Sequence, residues 1–311
     1  MIHETLNPKK SELVVNDGRA YHLGLAPYEL ARNVFLVGDP ARATRVASYF
    51  DNILHEASNR EYVTYTGSYK DVPVSVIGTG IGADNVEIAF VESYVLNEFD
   101  LNSKIKRLGA PMMTFIRLGT SGGVQPDLAA GTLVISDYAL GLDSTGPYYD
   151  VPVPDDTAEK IEKQAGLLLN DAMKPASRFR GFIKPYVSKA SSEVAEALRS
   201  AAASLDYSYE SGITATSPGF YGPSSRYIDG FENSVPDIKN QLARVEVGGN
   251  RVLNMEMESS LLFHMATAVG YRAGTVCPII SSPSESDALI DYEKVIGETI
   301  AVGLKAMLAL N

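Results

Sequence analysis

The chain has 311 residues, 45% hydrophobic and 21% charged, enough to bury a substantial core without disulfides or structural metals. Its formal net charge of −11 argues against nucleic acid or an anionic membrane as partner, so any anionic substrate has to be gripped by a local cluster of cations. No apolar run reaches the roughly 20 residues of a membrane helix, the start (MIHETLNPKKSELVV) lacks a signal-peptide pattern, and the single cysteine cannot pair within the chain, so a reducing, cytoplasmic setting is expected.

In chain order, Val34–Gly38 (VFLVG) reads as a buried strand, followed by the turn Asp39-Pro40 and a helical stretch to about Phe50. Tyr62–Tyr69 and Val72–Thr79 flank Lys70-Asp71 and suggest a hairpin, and Asn85–Glu98 has helical spacing. Met113–Leu118 and Thr132–Ser136 look like strands joined by a glycine-rich connection. Gly141 to Asp156 is the expected irregular excursion. Ala158–Ala172 is helical, Ile183–Lys189 a strand, Ser192–Ser204 an alanine-rich helix and Ile213–Ser217 a short strand. Met257–Val269 and Tyr292–Leu310 are expected helices around the strand Ala273–Ile280, whose Cys277 reads as a buried structural thiol. Strands alternating with helices predict an α/β fold with a parallel or mixed sheet. Nothing marks a domain boundary, so residues 1–311 read as one domain.

Three predicted strand ends carry glycine: VGDPAR (Val37–Arg42), GTGIGADN (Gly78–Asn85) and RLGTSGG (Arg117–Gly123). Glycine there lets backbone N–H groups approach an anion, and a following helix adds its dipole. Each loop alone is equally well a plain tight turn, and none is a P-loop or a G-x-G-x-x-G fingerprint. Arg42 and Arg117 sit at two of these ends, where a planar fork of donors suits phosphate oxygens, with Thr120 and Ser121 adding hydroxyls. Arg60 lies in Ser-Asn-Arg-Glu-Tyr ahead of the hairpin.

In Asn254-Met255-Glu256-Met257-Glu258-Ser259-Ser260, two glutamates alternate with methionines where a strand passes into a helix. A carboxylate there could accept two vicinal sugar hydroxyls or could simply favour the helix dipole, and the residues leave both readings open. His3, His22, His55 and His264 show no metal-ligand spacing, so no metal site is expected; His264 reads as a core residue, and His22 remains a candidate. The stretch SPGFYGPSSR (Ser217–Arg226) has the composition of a loop yet holds two aromatics and an arginine.

Taken together, YHLGL, VGDPAR, NREY, GTGIG, RLGTSGG, GFYGPSSR and MEMES run in an order that resembles the nucleoside phosphorylase-I superfamily, and within it the uridine phosphorylase branch. The resemblance covers nearly the whole chain. It implies an α/β fold with a central mixed sheet curling into a distorted barrel, and oligomers (dimer or hexamer) that share active sites. It further implies phosphorolysis of a nucleoside to free base and (deoxy)ribose 1-phosphate, with orthophosphate as co-substrate and no cofactor. Gly38, Arg42, Arg117 and Thr120 resemble the family's phosphate-binding residues, and Arg60 the arginine a neighbouring subunit donates to that phosphate. His22 resembles the histidine that reaches the neighbour's ribose. Glu256, Met257 and Glu258 resemble the ribose-binding motif, while Phe220 and Arg226 resemble the base-site wall and the base-reading arginine. Arg117, Thr120 and Glu258 are the expected catalytic centre.

The base end departs from the branch. Ser224 stands where the pyrimidine branch has a glutamine, and Ile279-Ile280-Ser281-Ser282-Pro283 where it carries Asn-Arg. A serine cannot make a bidentate amide pair with a base. The Ser-Asp of the purine branch has a counterpart only in Ser286-Asp287, several residues late. A purine nucleoside phosphorylase, a nucleosidase and a non-catalytic nucleoside-binding paralogue are therefore the alternatives.

Overall fold

The computed structural model describes residues 11–283 and 290–311. His3 and Ser286-Asp287 lie outside the described residues. The first half contains β1 (Asn33–Val37), α1 (Pro40–Ala47), β2 (Asn52–Asn59), β3 (Tyr62–Tyr69), β4 (Val72–Gly78), α2 (Ala83–Glu98), β5 (Thr114–Leu118), β6 (Ser121–Gly123) and β7 (Leu133–Gly141). The second half adds α3 (Asp156–Ala172), β8 (Tyr186–Lys189), α4 (Ser192–Ser204), β9 (Tyr209–Thr216), α5 (Ile238–Leu242), β10 (Glu246–Val247), β11 (Asn250–Glu256), α6 (Ser259–Val269), β12 (Arg272–Ser281) and α7 (Tyr292–Ala309).

These twelve strands form one mixed sheet in the order β8-β7-β9-β11-β6-β12-β5-β1-β4-β3-β2, with β10 paired to β11. At its centre β4, β1, β5 and β12 run parallel, each pair in continuous register. All five residues of β1 and of β5 are buried, as expected of strands covered on both faces. β12 also pairs antiparallel with β7, through Leu133 opposite Pro278 and Ile135 opposite Val276. That extra pairing returns the sheet on itself through β7, β9, β11, β6 and β12, so the expected barrel-like curl involves this half of the sheet only.

The hairpin predicted around Lys70-Asp71 is present, with both residues in the left-handed region (φ 48° and 65°) that a tight two-residue turn requires. β2 was not anticipated: five of its eight residues are exposed, so it lacks an apolar signal and exists because β3 pairs with it at the sheet edge. β9 begins at Tyr209, four residues before the expected start, because its first half pairs with β7 in an extended but poorly buried segment. No helix among the described residues is long and apolar enough to cross a membrane.

The main core lies between the parallel strands and α2, α4, α6 and α7, and centres on Phe35, Phe90, Phe115 and Phe263. The Phe115 ring lies 4.8 Å from Phe90 and 6.4 Å, stacked, from Tyr271. Replacing Phe115 by alanine should lower the unfolding free energy by about 3–5 kcal/mol in denaturant titration, through lost burial and the cavity left behind.

Candidate active site

Six strands end at one cavity of about 630 Å³. β1, β4 and β5 deliver Gly38, Gly80 and Thr120; β9, β11 and β12 deliver Phe220, Met257 and Ser281. Ligand sites in α/β sheets gather where strand carboxyl ends open into loops, and here all three glycine-bearing ends converge.

A buried cation of this cavity is Arg117, at the end of β5 and 5% exposed. Its guanidinium pairs with Glu258, lies 3.3 Å from Glu256 and donates to Cys277 Sγ at 3.2 Å. Burial works against this charge, but Glu258 and Glu256 outweigh it and hold Arg117 above its ordinary range. Two buried carboxylates thus share one cation, so burial and then the repulsion from Glu256 raise the Glu258 carboxyl above its ordinary value against the pull of Arg117. Burial likewise pushes the Cys277 thiol up to about 12, which makes it the inert structural cysteine expected from sequence. Gly119 has to be glycine, since a β-carbon there would overlap the Arg117 guanidinium and press on Cys277 Sγ.

Glu256 is fully occupied by protein. One oxygen accepts from Thr216 Oγ1 at 2.7 Å and Ser259 N at 3.0 Å; the other accepts from Glu258 N at 3.0 Å and Ser259 N at 3.1 Å. It meets the first amides of α6 and holds Arg117, as the helix-dipole reading of the motif has it, and it also borders the cavity. Glu258 differs: Oε1 accepts from Gly82 N at 2.8 Å while Oε2 meets Arg117, and its carboxylate borders the cavity beside Met257.

Arg42 enters from the first turn of α1, whose N-cap is Asp39, accepting from Ala41 N at 2.9 Å. Its guanidinium is 3.2 Å from the Leu118 carbonyl and 2.8 Å from Tyr292 Oη, which aims it at the cavity wall shared with Gly38, Arg117 and Thr120. At the other end, Arg226 stacks 3.7 Å from the Phe220 ring centroid and donates to the Phe220 carbonyl. Ser224 also borders the cavity, but its hydroxyl lies 2.7 Å from the Gly219 carbonyl and 3.0 Å from Ser217 Oγ, so it is engaged in shaping the loop.

His22 and Arg60 are not among the lining residues. The segments that carry them meet instead, on a separate patch: Asn59 donates to the Tyr21 and His22 carbonyls, and Arg60 stacks over Tyr21, 4.9 Å from the ring centroid. His22 Nδ1 lies 2.7 Å from Glu92, which also accepts the His22 and Leu23 N–H groups. Arg60 adopts a left-handed backbone (φ 53°) at the β2–β3 turn. Sequence reading missed Tyr292 and a cavity-lining lysine, Lys239; both come from segments without a motif, and Tyr292 is 250 positions from Arg42.

The chain belongs to the phosphorylase superfamily, whose family model matches residues 32–305. It is similar to the uridine phosphorylase of Thermococcus kodakarensis, 33% identical over 271 residues that span 86% of this chain and 78% of the relative. It is also similar to that of Haemophilus influenzae, 30% identical over 90% of this chain and 92% of the relative. Among solved structures it resembles a Trypanosoma brucei nucleoside phosphorylase described as showing uridine phosphorylase activity, with a TM-score of 0.84 and 28% identity over 95% of this chain and 99% of that one. A Toxoplasma gondii purine nucleoside phosphorylase shares the fold, at a TM-score of 0.67 and 22% identity over 96% and 98%.

Removing Glu256 strips Arg117 of one partner and α6 of its cap. Glu256→Ala should therefore cost about 3–5 kcal/mol in unfolding free energy. Glu258 titrates above its ordinary value in the folded chain, so its stabilising protonated form is complete below the ordinary carboxylate pKa and is lost as pH rises through the elevated one. Thermal midpoints measured across that window should fall with rising pH in the wild type, and fall less in Glu258→Gln.

Proposed function

We propose that the chain is a pentosyltransferase: a nucleoside phosphorylase that cleaves the N-glycosidic bond of uridine or a related nucleoside with orthophosphate. One observation carries this reading: a single cavity holds Arg42, Arg117, Gly38 and Thr120 at one end, Glu258 and Met257 midway, and Phe220 with Arg226 at the other. The named relatives support a nucleoside and phosphate as the substrates.

In this reading Gly38, Arg42, Arg117 and Thr120 hold orthophosphate against the underside of the sugar, where Thr120, with no hydrogen-bond partner of its own among the described residues, is free to donate. A phosphate oxygen forms a bond to C1′ as the C1′–N bond breaks and its electron pair leaves with the base. Glu258 accepts from the ribose hydroxyls beside Met257, and Arg117 ties Glu258 to the attacking anion, so positioning and electrostatics supply most of the catalysis. Glu256 serves by fixing Arg117 rather than by meeting the sugar. No cofactor enters the reaction, because phosphate is both nucleophile and counter-charge.

His22 and Arg60 complete the site of a neighbouring subunit in this reading, so the enzyme works as a homo-oligomer. Their joint placement on one patch off their own cavity is what supports it. The buried, unpaired Cys277 supports a reducing cytoplasmic setting.

Assaying purified protein on a nucleoside panel with and without phosphate tests the reaction; base release that ignores phosphate would assign a nucleosidase instead. Arg42→Ala and Arg60→Ala should each lose at least about 10²-fold in kcat/KM. Co-expressing the two variants should restore roughly a quarter of wild-type turnover, since random pairing regenerates sites with both arginines.

A further inference from the structure

Lys239 is the cavity-lining residue that no motif announces. It stands in the first turn of α5, and its backbone N–H donates to Ser225 Oγ at 2.8 Å. Ser225 is itself left-handed (φ 62°), so the helix and the loop that carries Arg226 are tied at a strained point. The side chain turns inward: Nζ comes 3.5 Å from where a β-carbon on Gly122 would stand, on the wall that Ser281 and Arg226 also line.

No ion-pair or hydrogen-bond partner of the Lys239 ammonium occurs among the described residues. Burial lowers its pKa, and the one neighbouring charge acting on it is Arg226, which lowers it further. Arg226 is also lowered by burial, and among the described residues no carboxylate pairs with it. Elsewhere in this acidic chain the buried cation Arg117 meets carboxylates. Two half-buried cations side by side, with no acid between them among the described residues, repel each other, an arrangement that folding alone disfavours and that an electron-rich ligand relieves.

We propose that Lys239 is a base-reading residue: with Arg226 it donates hydrogen bonds to the carbonyl edge of an oxo-base and takes up the negative charge that base acquires on leaving. The assignment rests on nucleoside phosphorolysis as the reaction. When the C1′–N bond breaks, its electron pair departs with the base, and in uracil the charge spreads to the two carbonyl oxygens. The ammonium keeps its proton, and water protonates the released base. Ammonium and guanidinium groups only donate, unlike the amide that Ser224 replaces, so the pair suits carbonyl oxygens and opposes an exocyclic amino group at the same position. Uracil fits this edge, and cytosine does not.

The test compares wild type, Lys239→Met and Lys239→Arg on uridine, 5-fluorouridine and cytidine, with uracil binding followed by calorimetry. Lys239→Met should lower kcat/KM for uridine by roughly 10- to 100-fold, the effect of one charged hydrogen bond, with the KM for phosphate unchanged. The loss should be smaller with 5-fluorouridine, whose base is already the better leaving anion, and Lys239→Arg should recover part of it. Unchanged uridine turnover in Lys239→Met, or equal losses on both leaving groups, would overturn the assignment. A wild type that turns over no nucleoside would overturn phosphorolysis; Lys239 is then judged by uracil affinity alone, its loss in Lys239→Met supporting base reading and its retention refuting it. Should the methionine variant fail to fold, Lys239→Gln takes its place under the same readouts.

Discussion

One guanidinium serving two buried carboxylates is the constraint around which the site is arranged. Water is excluded from Arg117, Glu256 and Glu258, each no more than 5% exposed, so every remaining polar direction has to be met by protein or by ligand. Glu256 is met entirely by protein, through Thr216 and the first amides of α6. Glu258 is met by Gly82 on one side and Arg117 on the other. Gly119 stays bare because the guanidinium takes the space a side chain would need. A parallel centre of the sheet is what brings these parts, spread over 141 positions between Arg117 and Glu258, to one end of the strands.

Much of this was legible in the sequence because the relevant signals are local. Buried parallel strands such as Asn33–Val37 and Thr114–Leu118 read as apolar runs, and the glycines after them mark backbone that a ligand can approach. The left-handed Lys70-Asp71 turn between two alternating segments declared its hairpin. What the sequence hid is what pairing alone creates. The exposed strand Asn52–Asn59 has no apolar face to betray it, and the five-residue helix Ile238–Leu242 is too short for a periodic pattern. The role of Glu256 was open for the same reason: a carboxylate before a helix looks alike whether it meets a sugar or the helix itself, and only its three donors, the Thr216 hydroxyl and the Glu258 and Ser259 amides, distinguish the two.

Charge is distributed to match the work proposed for the cavity. A chain of net charge −11 concentrates Arg42, Arg117, Arg226 and Lys239 around one opening, which focuses its attraction for electron-rich ligands while the outer surface stays acidic. The cations are handled differently at the two ends. Arg117 is locked by acids and Arg42 is aimed by a carbonyl and Tyr292, whereas Arg226 leans on an aromatic face and Lys239 meets no acid among the described residues. A rigid end and a more adaptable end therefore share one space.

The adaptable end is also built separately. Phe220, Ser224, Arg226 and Lys239 all belong to the excursion between Thr216 and Glu246, clipped to the sheet by Ser217 N donating to the Glu256 carbonyl at 2.8 Å. The rigid end stands on the tips of Asn33–Val37 and Thr114–Leu118 and contributes nothing to that excursion. On the proposed reading, a lineage could exchange the 29 residues of this insert wholesale, or a protein engineer could graft a different one, and change which base departs while leaving untouched the groups assigned to what attacks it.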